Sequence, residues 1–338
     1  MKRVVIWALL LVIVIVGAFA AWVALGGVQP YKGYAANEQF VDIPPGTGPA
    51  EIGRRLSNAG VIRDRLTFRI ELVRSGNGRR LQAGEYRFDK PMTVREVVSK
   101  IARGDVYILP ITFREGLTIR EMSGLYESKG FGAAGEFMKA ASDARPIHGI
   151  DPAAKNLEGY LFPDTYAMPR QSTPEQLVAR MVAGFEKALT PELRAQAEGR
   201  GLSVRDLVTL ASLVEKETGK AEERPLVAAV YANRLSIGMG LQCDPTVIYA
   251  LQRADRYTGN LTREDLQFDS PYNTYRYRGL PPGPIAAPGR ASLEAAANPA
   301  DVPYLYFVSR GDGSHVFATT LDEHNRNVYE FQKRPSRN

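Results

Sequence analysis

The chain has 338 residues, 44% hydrophobic and 24% charged, and a formal net charge of +6. That is ordinary globular composition, long enough for two domains and for a full core without metal or disulfide staples. A single cysteine, Cys243, excludes an internal disulfide, and three scattered histidines (His148, His315, His324) have no metal-ligand spacing, so a metal site is not expected.

The chain opens with Lys2 and Arg3, then runs without charge from Val4 to beyond Leu25, as far as Lys32. About 20 apolar residues are what a helix needs to cross a bilayer. Ala18–Ala20 mimics a cleavage site, but signal-peptide cores are shorter, about 7–15 residues, which favours an uncleaved anchor. Basic residues on the amino-terminal flank keep that end in the cytoplasm. The expected plan is a cytoplasmic stub at 1–3, a transmembrane anchor at 4–26 and a linker at 27–39, with the rest outside the membrane. Residues 51–130 hold 16 Lys/Arg against 10 Asp/Glu, which accounts for the whole net charge. Beside an anchor, such a stretch suits anionic lipid or an anionic polymer, or is a solvated Arg-rich helix surface. Nucleic acid is not expected as a partner there.

Two segments align without gaps, "VDIPPGTGPAEIGRRLSNAG" (41–60) and "ITFREGLTIREMSGLYESKG" (111–130). Alternating apolar residues, a glycine, then a helical period ending in glycine predict a strand–turn–helix unit. "YRFDKPMTVREVVSKIARG" (86–104) repeats the theme. These units resemble LysM modules, which grip glycan strands, and 40–110 is expected to be such a subdomain. A second unit and an Ala/Gly/Asp/Pro-rich junction fill 111–156. "LEGYLFPDTYAMP" (157–169) reads as an aromatic strand or turn. Helical runs follow over 174–189, 191–201, 204–218 and 224–235, then a polar turn, "LQCDPTV". Short strands ("PYLYFVSR", "SHVFATT") and Pro/Gly loops close the chain, and the whole reads as α+β.

The helix "LVTLASLVEKETG" (207–219) carries two carboxylates, Glu215 and Glu217, at the end of a buried-looking run. At 100° per residue both flank the apolar arc, Thr209 and Ser212 fall on the far side, and Lys216 turns to solvent. A carboxyl held against apolar groups has a raised pKa and suits general acid catalysis. The plainer reading is two helix-end acids paired to nearby Lys and Arg. Helix geometry does not choose between the two residues. Downstream, Asn233, Gln242, Asn273 and several tyrosines supply amides and rings suited to sugars, and "GLPPGPIAAPG" (279–289) offers stiff backbone to wall a groove.

Taken in order, "EGYLFPDTY", "ASLVEKET", "NRLSIGMGLQCDPTVIY", "YNTY", "GLPPGPIAAPG" and "YLYFV" closely resemble the endolytic murein transglycosylases of the YceG-like family. The resemblance covers about 157–332 as the catalytic domain. It implies cleavage of the β-1,4 bond between N-acetylmuramic acid and N-acetylglucosamine within peptidoglycan, leaving 1,6-anhydro ends and terminating nascent strands. It assigns Glu217 as the catalytic acid, with no metal or cofactor. Asn233, Gln242, Asp244, Tyr272, Asn273 and Tyr275 are expected to position substrate, with Glu215, Glu158 and Asp164 as secondary candidates. Membrane-bound peptidoglycan synthases are implied as partners. The rivals are a muramidase hydrolysing the same bond, a noncatalytic tethered wall binder, and a cysteine peptidase using Cys243 with His315 or His324.

Overall fold

The computed structural model describes residues 7, 10–17 and 29–333. Residues 7 and 10–17 are helical; the rest of the anchor expected at 4–26 lies outside the described residues. Among the described residues no helix is long and apolar enough to cross a membrane. The chain divides into two compact units, the first running to Leu109 with Ala167–Gln171, the second Pro110–Tyr166 with Ser172 onward.

In the first unit β1 (Gln39–Ile43) pairs antiparallel with β2 (Gly84–Phe88), with Val41 opposite Tyr86. Alternation puts Val41 and Ile43 on the buried face, where α1 (Pro49–Asn58), α2 (Arg65–Ser75) and α3 (Val94–Ala102) cover them with Leu56, Phe68 and Val97. The helix starts are encoded locally. Pro49 opens α1, the Asp64 side chain caps α2 through the Thr67 N–H, and Thr93 and Glu96 cap α3 reciprocally. After α1 the chain reverses at Gly60 (φ +70°), where a Cβ would meet the Gly33 backbone at 2.7 Å, so only glycine fits. The strand–helix pattern at 41–60 and 86–104 is thus present as β1–α1 and β2–α3.

β3 (Ile108–Thr112) pairs with β4 (Thr165–Pro169), and the boundary between the units falls within both strands. The second unit is mainly helical. α4 (Ile119–Ser128) follows β3, and α5 (Ala134–Ser142) occupies the stretch expected to be a junction. Alanine is the best helix former, and Phe137, fully buried, anchors α5. Then come α6 (Pro174–Ala188), α7 (Pro191–Gly199), α8 (Val204–Glu217), α9 (Arg224–Ser236), α10 (Asp244–Arg253) and α11 (Arg290–Ala297). A hairpin, β5 (Tyr306–Ser309) and β6 (His315–Ala318), precedes α12 (Leu321–Val328).

α8 is the hub, packed against α7, α9, α10 and α11. Every residue from Leu207 to Val214 is buried, including Thr209 and Ser212, which were expected on an outer face. Ser212 is satisfied inside: its hydroxyl donates to the Thr209 carbonyl and accepts the Ile285 N–H at 3.1 Å. That second bond fastens the Pro/Gly loop onto α8. The segment expected as a polar turn instead starts α10, because Pro245 sits in a helix's first turn, where its missing N–H costs nothing.

Candidate active site

α8 reaches the site already fixed by packing, and its last turn carries the two carboxylates in opposite circumstances. Glu215 turns inward, with its side chain 6% exposed. Oε1 lies 3.3 Å from Arg224 Nη2, and Oε2 accepts the Gly289 N–H at 2.9 Å. Arg224 is itself held by Ser292 Oγ, so Glu215 is spent on fixed, buried donors.

Glu217 lines a cleft of about 360 Å³ together with Arg234, Gln242, Asp244, Tyr275, His315 and His324. It is half-buried: one edge faces the cleft, and protein encloses the rest. Oε1 accepts the Tyr231 hydroxyl at 2.7 Å, and the Cys243 side chain acts on this carboxyl in the same sense. Burial is the largest influence and pushes Glu217 above the usual carboxylate range. The Asp244 charge adds to the rise, while the Tyr231 hydrogen bond, Cys243 and His315 oppose it. The result is an acid that holds its proton to higher pH than a solvated glutamate does, at the edge of a cleft.

The far wall is built by residues 241–246 and 270–275 tied together. Cys243 N–H donates to Thr274 Oγ1, and the Thr246 and Thr274 hydroxyls meet at 2.9 Å. Gln242 adopts φ +51°, a left-handed conformation unusual outside glycine and costing about 1 kcal/mol. It leaves Gln242 and Asp244 exposed on the cleft while Cys243 between them is buried. Asp244 Oδ1 accepts the Tyr275 hydroxyl at 2.5 Å. Burial and then the Glu217 charge push the Cys243 thiol well up, which withholds the thiolate a cysteine peptidase needs.

Four expected site residues thus share this cleft: Glu217, Gln242, Asp244 and Tyr275. The others lie elsewhere. Asn233 Nδ2 donates to the carbonyls of Val302 and Tyr304, and Asn273, fully buried, donates to those of Leu266 and Phe268. Both amides shape loops. Tyr272 lines a separate cleft of about 390 Å³ with Arg205, Arg253 and Pro282–Pro284. Glu158 borders that cleft, buried, accepting the Ile119 N–H and the Tyr249 hydroxyl, and burial raises its pKa to about 7. Asp164 is exposed and accepts the Thr165 N–H. Tyr231 and Arg234, both on α9, were not legible as site residues. His315 and His324 were considered only as partners of Cys243. Among the described residues no group of acidic, His and Cys side chains could hold a metal ion.

The model of the YceG-like family matches residues 41–330. An endolytic murein transglycosylase of Bacillus subtilis (strain 168) is 31% identical over 329 residues, 93% of this chain and 90% of the relative. One of Streptococcus pneumoniae (serotype 2, strain D39) is 30% identical over 344 residues, 93% of this chain but 62% of that longer relative. A 2.6 Å crystal structure of a YceG-like protein from Listeria monocytogenes superposes with a TM-score of 0.58 at 30% identity, covering 86% of this chain and 98% of that one. With its motifs and its α+β architecture, the chain belongs to the YceG-like family.

Proposed function

We propose that this chain is an endolytic murein transglycosylase, cutting the β-1,4 bond between N-acetylmuramic acid and N-acetylglucosamine inside a glycan strand and leaving a 1,6-anhydromuramyl end. The observation that carries the reading is Glu217, a carboxyl of raised proton affinity at the edge of a cleft lined by polar groups. Protonated Glu217 gives its proton to the leaving glycosidic oxygen. As carboxylate it then takes the proton of the muramyl 6-hydroxyl while that oxygen closes on C1. One residue serves both steps because the nucleophile belongs to the substrate, unlike the two-carboxylate glycosidases. Asp244 keeps the proton on Glu217 by its charge, and Gln242 and Tyr275 hydrogen-bond sugar. Glu217→Gln keeps size and most hydrogen bonding but removes the acid. Purified full-length variant should release no anhydro-ended fragments from murein, and undiminished release would sink the reading.

Asp244 in the same cleft favours a second reading, hydrolysis of the same bond with that carboxylate activating water. Mass spectrometry separates the two, since the hydrolytic product is heavier by one water.

The apolar run at 4–26 supports a single-pass anchor in the cytoplasmic membrane, amino terminus inside and the units outside. The strand–helix architecture of 40–110 supports a LysM-like, glycan-gripping subdomain ahead of a catalytic domain at 157–332. A cutter tethered at the membrane meets strands as they are polymerised, which fits termination of nascent chains beside the synthases. Membrane fractionation, with protease added to the outer side, tests the topology.

A further inference from the structure

One carboxylate ties the β5–β6 hairpin to the end of α8. Glu223 Oε1 accepts the His315 backbone N–H at 2.9 Å, and its Oε2 lies 2.7 Å from His315 Nδ1. Both side chains are 10% exposed. The same Oε2 accepts the Thr218 hydroxyl at 3.3 Å, and Thr218 directly follows Glu217. Burial disfavours the Glu223 charge, but the His315 and Thr218 hydrogen bonds prevail and hold it below the usual carboxylate range. An ionised carboxylate only accepts, so Nδ1 carries the hydrogen and Nε2 is the nitrogen left over. Phe307 meets the imidazole edge-on at 5.4 Å, which limits its rotation. The ring is therefore held in orientation, and it lines the cleft that holds Glu217. In that cleft His324 Nδ1 is also buried without a hydrogen-bond partner among the described residues.

We propose that His315 is a substrate-contacting residue of this site: Nε2 makes a hydrogen bond to a hydroxyl or acetamido group of the sugar held across Glu217, and Glu223 is the positioning residue that fixes the imidazole. The assignment deepens the transglycosylase reading and rests on it. Glu223 holds both the His315 backbone N–H and ring Nδ1, and this leaves Nε2 as the ring nitrogen free for the cleft where a sugar must lie. This geometry favours hydrogen bonding to substrate over a role with Cys243, whose thiol is buried.

The test uses full-length protein on purified murein, with anhydro-ended fragments as the readout. His315→Asn retains a short-side donor for Glu223 but has nothing at the Nε2 position. It should melt near wild type and lose kcat/KM roughly 10- to 100-fold, the worth of one such hydrogen bond. His315→Gln, whose amide can reach the Nε2 position, should recover part of the loss. Glu223→Gln should cost activity alone and little more on top of His315→Asn, because both act through one ring. Wild-type kcat/KM in a folded His315→Asn protein overturns the proposal, as does equal loss in the Asn and Gln variants. Should the Asn form not fold, His315→Phe keeps a ring against Phe307 without Nε2 and is read the same way. Glu217→Gln runs in parallel. If it stays active, the parent reading fails and this proposal with it; if it is dead while His315→Asn is unimpaired, only this proposal fails.

Discussion

The Tyr231 hydroxyl donates to Glu217 Oε1 across 2.7 Å, from the middle of α9 to the last turn of α8. Burial and the charge of Glu217 keep that phenol far from ionising, so it acts on Glu217 only as a donor. A donor to the charged form favours it, so Tyr231 restrains the upward shift that burial imposes. Tyr231→Phe removes the restraint with little change of shape. The pKa of Glu217 then rises further, and the alkaline limb of kcat/KM on murein moves to higher pH. A hydrogen bond of about 1 kcal/mol corresponds to a displacement of somewhat less than one pH unit. A limb that stays put, or moves to lower pH, contradicts the acid role.

The contrast between Glu215 and Glu217 predicts stability changes of opposite sign. Glu215 is buried against Arg224 and the Gly289 N–H, so Glu215→Gln leaves a buried guanidinium short of its partner. That should cost about 2 kcal/mol in denaturant unfolding at neutral pH. Glu217 is raised by burial. Its native state therefore holds a proton that the unfolded chain releases, and stability falls as pH rises from the ordinary carboxylate range through the native pKa. Glu217→Gln abolishes that fall. Its melting temperature should exceed wild type at pH 8, and the gain should shrink at pH 4. Equal destabilisation by both substitutions would show that the two carboxylates do the same structural work.

The four helical runs expected between 174 and 235 were legible to within a residue or two because their starts are written locally: Thr173, Thr190 and Ser203 each cap the helix that follows. What local signals missed was decided by tertiary contact. Pro245 reads as a turn residue, yet it opens α10 once Thr246 and Thr274 fix the approach. Thr209 and Ser212 read as an outer face, yet both are buried, and the loop at Ile285 comes back onto Ser212. Of the residues that line the cleft, Gln242 and Tyr275 were singled out by residue chemistry and Asp244 by the family resemblance. The same chemistry picked Asn233 and Asn273, whose amides serve backbone carbonyls, distant ones for Asn233 and those of its own loop for Asn273. Glu223 and His315 are 92 positions apart, so their pairing is a product of the fold alone.

Those two asparagines supply a control for the site. Asn273 Nδ2 bonds two carbonyls and its Oδ1 accepts the Tyr275 N–H, so Asn273→Ala leaves three partly buried backbone groups underserved. The cost should be about 2–3 kcal/mol of folding stability. Because the turn also sets Tyr275 over Asp244, KM should rise as well. Asn233→Ala, which frees the Val302 and Tyr304 carbonyls, should destabilise by about 1–2 kcal/mol and leave KM nearly unchanged. Urea denaturation and steady-state kinetics on the same preparations check both. A large KM effect from Asn233→Ala with unaltered stability would return that residue to the substrate.

Glu158 gives a second pH signature, separate from the Glu217 cleft. Burial lifts it from 4.5 to about 7, against the pull of the Ile119 N–H and the Tyr249 hydroxyl. Between those two values the native protein keeps a proton that the unfolded chain has lost. Stability therefore declines as pH rises across that window, by about 3 kcal/mol in all at 1.4 kcal/mol per unit. Below the window both states are protonated and the contribution is intact; above it the loss is complete. Glu158→Gln has no proton to lose. The difference in unfolding free energy between variant and wild type should swing towards the variant from pH 4.5 to 7 and then level off. Contributions from other titrating groups cancel in that difference, since the remaining sequence is shared. A difference that is flat across the window would mean that Glu158 ionises as easily folded as unfolded, and that its two donors outweigh its burial.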